Sequence, residues 1–100
     1  MNALDAESAA EYAGWFRCLS DPTRIQILNL VARADQPVTV GQIVGAVGKS
    51  QSTVSRHVQV LAADGFVVCL PDGVRTRVHA NPSCMTALPQ AAEEIMGVTT

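Results

Sequence analysis

The side chains best equipped for chemistry are three cysteines, Cys18, Cys69 and Cys84, and two histidines, His57 and His79. Neither histidine has a paired carboxylate, no nucleophile has a base at recognisable spacing, and no glycine-rich phosphate loop is present. An enzyme is therefore not expected, nor an organic cofactor. An odd number of widely spaced cysteines does not make a disulfide framework, so free thiols are expected. Thiolates select soft ions, and Cys18, Cys69 and Cys84 brought together would suit trivalent arsenic or antimony, or divalent mercury. Zinc would want a fourth ligand, for which His79 is the candidate. Cys84 opens a helix, where the dipole lowers a thiol pKa and favours the thiolate. The alternative is plain packing, since free cysteine is often buried as a small hydrophobe. Spacing gives no local chelate, so convergence depends on the fold or on a dimer.

A second set of residues suits recognition rather than catalysis. In Lys49–Leu61, Val54, Val58 and Leu61 fall at i, i+4 and i+7 and share one inward face. Gln51, Ser52, Ser55, Arg56 and Gln59 lie mostly off that stripe and supply amide, hydroxyl and guanidinium groups, with the charge of Lys49 beside them. Such groups hydrogen-bond base edges and phosphates. Ser50 is a good N-cap after the Gly48-Lys49 turn. Taken alone, this helix could equally be an amphipathic surface helix with a solvated outer face.

The elements around it change that balance. A helix is expected over residues 6–19, with Tyr12, Trp15, Phe16 and Leu19 on one side, either in the core or at a dimer contact. Ser20-Asp21-Pro22-Thr23 starts a second helix to about Ala34, expected to bury Ile25, Ile27, Leu28, Leu30 and Val31. Thr39 and Gln42 form a capping box for a short helix to about Val47. That helix, a three-residue turn and the helix of Lys49–Leu61 make a helix-turn-helix over 39–63. Residues 66–80 read as a β-hairpin turning at Pro71-Asp72-Gly73. Its alternation places Arg75 and Arg77 on one face, within reach of flanking phosphates or a minor groove, unless they are merely solvated. A last helix runs from about Ser83 to Met96, with Met85, Leu88, Ala92, Ile95 and Met96 apolar and Pro89 expected to kink it or delay its start.

The 100 residues make one domain with 48% hydrophobic and 16% charged residues, an apolar content for which a dimer is the simplest outlet. Four aromatics are too few for stacking platforms that bind single strands. The net charge of −2 at first opposes nucleic acid, but residues 49–79 carry a local +2 against −2 in residues 1–48. No apolar run approaches the ~18 residues of a membrane span and no signal peptide is evident, so a cytoplasmic protein without membrane contact is expected.

The order helix, helix, helix-turn-helix, hairpin, helix resembles the ArsR/SmtB family of winged-helix repressors. The likeness rests on Leu19-Ser20-Asp21-Pro22-Thr23-Arg24-Ile25-Gln26-Ile27-Leu28 and on Ser50-Gln51-Ser52-Thr53-Val54-Ser55-Arg56-His57-Val58 with Leu61. Gly65-Phe66-Val67 leading into the Pro71-Asp72-Gly73 wing completes it. The resemblance implies a mainly α, winged helix-turn-helix fold with about five helices and two strands, dimeric through helices over 1–19 and 82–97. It implies a partly palindromic operator in double-stranded DNA, contacted by Gln51, Ser52, Thr53, Ser55, Arg56 and His57, with Arg75 and Arg77 in the wing. It also implies repression relieved by an inducer, often a metal or metalloid ion.

The chain departs from two familiar sensing sites of that family. Val38–Gln42 holds no Cys-x-Cys, and the last helix holds Glu93 and Glu94 but no histidine. Cys18, Cys69 and Cys84 remain as the candidate ligands. The alternatives are a thiol-redox or persulfide switch on the same fold, or a winged-helix module that senses nothing and docks protein.

Overall fold

Each helix begins where a short polar side chain can accept from backbone N–H groups that the first helical turn leaves free. In the computed structural model, which describes residues 1–98, Asp5 caps α1 (Ala6–Cys18) by accepting from Ser8 N at 2.9 Å. Asp21 caps α2 (Pro22–Arg33) through Thr23 N and Arg24 N, at 2.8 and 3.2 Å, with Pro22 in the first turn. A two-residue strand β1 (Val38–Thr39) leads into α3 (Val40–Val47). Here the capping box is reciprocal: Gln42 N donates to Thr39 Oγ1 at 3.1 Å, and Thr39 N to Gln42 Oε1 at 2.9 Å. Gly48, at φ 70°, closes α3 in the left-handed region and swings the chain toward Ser50, the cap of α4 (Gln51–Ala63). Strands β2 (Val67–Asp72) and β3 (Arg75–Ala80) follow, and Asn81 caps α5 (Pro82–Ile95). The described residues thus form a winged helix-turn-helix of five helices and three strands.

The third strand was not expected from the sequence. Strand order is β1-β3-β2, antiparallel throughout, with Val38 opposite Val78 and Thr39 opposite Arg77. The hairpin turn also lies further along than Pro71-Asp72-Gly73. Pro71 and Asp72 continue β2, opposite Thr76 and Arg75, and the chain reverses through Gly73-Val74 alone. Gly73 takes φ 61°, the backbone state that a tight two-residue hairpin needs at its first central position.

Strand register sorts the side chains. Val67, Cys69, Val78 and Ala80 share the face toward the core, while Val68, Leu70, Asp72, Arg75, Arg77 and His79 share the other. Helices α2, α3 and α4 pack over the first face, with Ile27, Val31, Ile43, Val54, Val58, Leu61 and Phe66 buried. Ile25, expected inside, is 52% exposed. It precedes Ile27 by two residues, about 200° around the helix, so both cannot face one core. Leu28 and Leu30 are half-buried.

Helix α5 runs unbroken through Pro89, so the proline neither delays nor ends it. Only Ala91 of α5 is buried; Met85, Ile95 and Met96 are exposed, as is Phe16 of α1. Tyr12 Oη donates to Glu94 Oε2, which sets α1 beside α5. No helix among the described residues is long and apolar enough to cross a membrane.

The contrast between Ile43, which is wholly buried, and Ile25 predicts unequal costs. Ile43→Ala should destabilise by about 2–5 kcal/mol through lost transfer energy and a cavity. Ile25→Ala should stay within about 0.5 kcal/mol. Urea unfolding of the two variants measures the difference, and equal losses would show that the core is drawn in the wrong place.

Candidate nucleic-acid interface

Helix α4 divides its residues by burial. Val54, His57, Val58 and Leu61, at i, i+3, i+4 and i+7, form the inner stripe. Gln51, Ser52, Arg56 and Gln59 are exposed on the other side, with Lys49 exposed in the turn before the helix and Thr53 and Ser55 half-buried. At the helix start Ser50 Oγ donates to Thr53 Oγ1 at 2.9 Å and lies 3.3 Å from Ser52 Oγ, so the hydroxyls form one small network.

Facing α4 across an open groove of about 530 Å³ is the wing. Gln51 and Ser55 line one wall, Thr39 and Gln42 at the start of α3 another, and Val74 and Arg75 at the wing tip the third. The groove is polar, exposed and edged by one arginine. Val74 stands fully out at the tip, placed there by the two-residue turn. Arg75 is exposed and Arg77 half-exposed on the same face of β3. Arg77 differs in having a partner: its Nε donates to Asp72 Oδ2 at 2.7 Å. The part played by Val74, Thr39 and Gln42 in this groove was not foreseen, because apolar tips and capping residues carry no distinctive sequence signal.

His57 does not belong to the outer face. It is 8% exposed and turned into the protein, where its Nδ1 lies 3.2 Å from Arg24 Nη1. Arginine can only donate, so Nδ1 accepts and the imidazole proton sits on Nε2. Arg24 also donates from Nε to the Cys18 carbonyl at 2.6 Å. One guanidinium therefore ties the last turn of α1 to the middle of α4. The i+3 spacing from Val54 was the available signal for this placement.

The three cysteines are not gathered. Among the described residues of one protomer, no three His, Cys, Asp or Glu side chains cluster as a metal site. Cys18 is buried at the end of α1, and burial, together with the Asp64 carboxylate, pushes its thiol up to about 11. Cys69 lies on the core face of β2, with its thiol raised by burial. His79, offered above as a fourth ligand, points from the opposite face of the sheet. Cys84 Sγ donates to the Gly65 carbonyl at 2.8 Å. Burial raises its pKa, contrary to the lowering expected at a helix start. The helix end favours a thiolate, but a thiol held out of water and used as a donor keeps its proton.

The Arg24–His57 bond makes a stability prediction. His57→Ala leaves a half-buried guanidinium without one acceptor and should cost about 1–3 kcal/mol. Arg56→Ala, on the exposed side, should change stability by less than about 0.5 kcal/mol. Thermal or urea unfolding compares them, and a silent His57→Ala would remove the link from α2 to α4.

Other proteins resemble this chain in sequence and in fold. The description "Bacterial regulatory protein, arsR family" matches residues 21–68, from the cap of α2 into β2. The HTH-type transcriptional regulator CmtR of Mycobacterium tuberculosis is 35% identical over 95 residues, which cover 94% of this chain and 77% of that protein. A probable mercury resistance operon repressor of Streptomyces lividans is 37% identical over 65 residues, 65% of this chain and 50% of that protein. In that comparison the chain spans about half the length of the relative. A solved ArsR-like transcriptional regulator from Rhodococcus sp. RHA1 superposes with a TM-score of 0.81 at 26% identity, covering 94% of this chain and 84% of the other. By sequence over nearly its whole described length and by fold, the chain belongs to the arsR family of bacterial regulatory proteins, DNA-binding transcriptional regulators rather than enzymes.

Proposed function

We propose that this protein is a transcriptional repressor that grips a partly palindromic operator as a homodimer, one α4 in the major groove of each half-site. The observation that carries the reading is the exposed polar side of α4, set across an open groove from the cationic wing. In this reading Gln51, Ser52, Ser55, Arg56 and Gln59 face base edges, while Lys49, Thr53 and the wing's Arg75 serve the backbone. His57 is reassigned to holding α4 in place. The dimer is supported by the apolar side chains left exposed on α1 and α5, Phe16, Met85, Ile95 and Met96. A regulator of this kind acts in the cytoplasm, where bacterial DNA is.

For the inducer we propose a thiophilic metal or metalloid ion, arsenic, antimony or mercury, taken by Cys18, Cys69 or Cys84. Three free thiols and the mercury-resistance relative support this choice. Among the described residues one protomer does not assemble three ligands, so a three-coordinate ion would draw on both protomers or on a rearranged state. Such a requirement is what an inducer needs, because it must bind the weakly DNA-binding conformation better than the other.

Two experiments test these readings. Operators selected from a random duplex pool should bind with an affinity that falls steeply with salt, and Arg56→Ala should weaken that binding by about 1–3 kcal/mol and relax base preference. Salt-independent binding, or an unaltered Arg56→Ala, would overturn the placement of α4. Titrating the complex with mercuric, arsenite and zinc salts should release DNA with the soft ions first. Single Cys→Ser changes at 18, 69 and 84 should keep operator binding and blunt release, whereas full release in all three would exclude the cysteines.

A further inference from the structure

The wing shows two arginines to the outside, and they are not equivalent. Asp72, Arg75 and Arg77 share one face of the hairpin, Asp72 directly opposite Arg75 and diagonal to Arg77. The carboxylate is bonded to the diagonal partner, 2.7 Å from Arg77 Nε, and both side chains are about half exposed, at 55% and 40%. A pair this open contributes little to stability. The wing has no structural need of it, because the hairpin is already set by its ladder and by the Gly73-Val74 turn. Its consequence is electrostatic. The bonded pair has no net charge, so of the two wing arginines only Arg75, though opposite Asp72 in the ladder, makes no ion pair among the described residues.

We propose that Asp72 holds Arg77 back from the duplex, so that the wing engages phosphate through Arg75 alone. The inference rests on the DNA-binding reading and assigns within it a restraining role to a residue that touches no base. Phosphate approaching Arg77 meets a guanidinium whose Nε is already taken and whose charge is already offset, and it is repelled by the carboxylate beside it. Sequence-independent affinity comes almost wholly from such phosphate contacts. Restraining one of them lowers binding to duplex of any sequence and leaves discrimination between sequences to α4.

The test uses fluorescence anisotropy with a labelled duplex of mixed sequence, about 30 base pairs, at several salt concentrations. The proteins are wild type, Asp72→Asn, Arg77→Gln, the double variant and Arg75→Gln. Asp72→Asn should tighten binding at low salt by roughly 3–10-fold and steepen the slope of log affinity against log salt by about 0.9, the increment for one added phosphate contact. Arg77→Gln should bind nearly as wild type does, Arg75→Gln clearly more weakly, and the double variant should lose most of the Asp72→Asn gain. A weaker Asp72→Asn would mean that Asp72 aims Arg77 at the phosphate, and would overturn the proposal. So would an unchanged slope, or an equal gain with and without Arg77, which would reflect net charge alone. If wild type shows no salt-dependent affinity for any duplex, the DNA-binding reading falls and this one with it; a clear wild-type slope that Asp72→Asn leaves unmoved defeats this one only.

Discussion

Helix α4 can turn only one side inward, and the outer surface of the molecule depends on which side that is. Val54, Val58 and Leu61 are almost completely buried against α2, α3 and the sheet. Rotating the helix by one residue, about 100°, would expose them and drive Arg56 toward the core. Apolar contacts alone tolerate small rotations, because they have no direction. The bond between Arg24 and His57 adds a directional restraint in the middle of the same stripe, and buried polar partners of this kind fix a unique arrangement where they do not add much strength. Gln51, Ser52, Arg56 and Gln59 are outside because those two restraints agree.

Charge follows the same division of labour. The chain is acidic in total, yet its described acidic side chains lie mostly away from α4 and the wing. A potential that attracts phosphate is built from local distribution, and the sum over the chain says little about it. The turn at Gly73-Val74 carries Arg75 to the mouth of the groove, and the ladder of β2 and β3 holds Asp72 within reach of Arg77. Backbone geometry in the hairpin therefore decides which cations are available, a property that alternation of residue types does not express.

Much of the fold was legible in the sequence because its determinants are local. Asp21 before Pro22, Thr39 with Gln42, and Ser50 before Gln51 each announce a helix start through a cap, and all three are made. What escaped is non-local or a matter of degree. Strand β1 is two residues long and exists only because β3 returns beside it. The spacing from Val54 hinted that His57 turns inward, but its partner is an arginine 33 residues earlier. The polar outer side of α4 was readable from the spacing of its apolar residues, and the thiols were readable as free but not as gathered or scattered. Whether Cys18, Cys69 and Cys84 meet, and whether they keep their protons, is set by burial that emerges only with the tertiary structure.

The sheet also has an outer border, since β3 is central and β2 lies at one side. An open border of unpaired amides is a template on which other strands can assemble. Here the border carries Pro71, opposite Thr76. A proline fits this ladder only with its nitrogen turned away from β3, and having no hydrogen it leaves a gap in the outward row of donors. The wing can therefore stand out from the body of the protein without offering neighbouring molecules a continuous strand on which to aggregate.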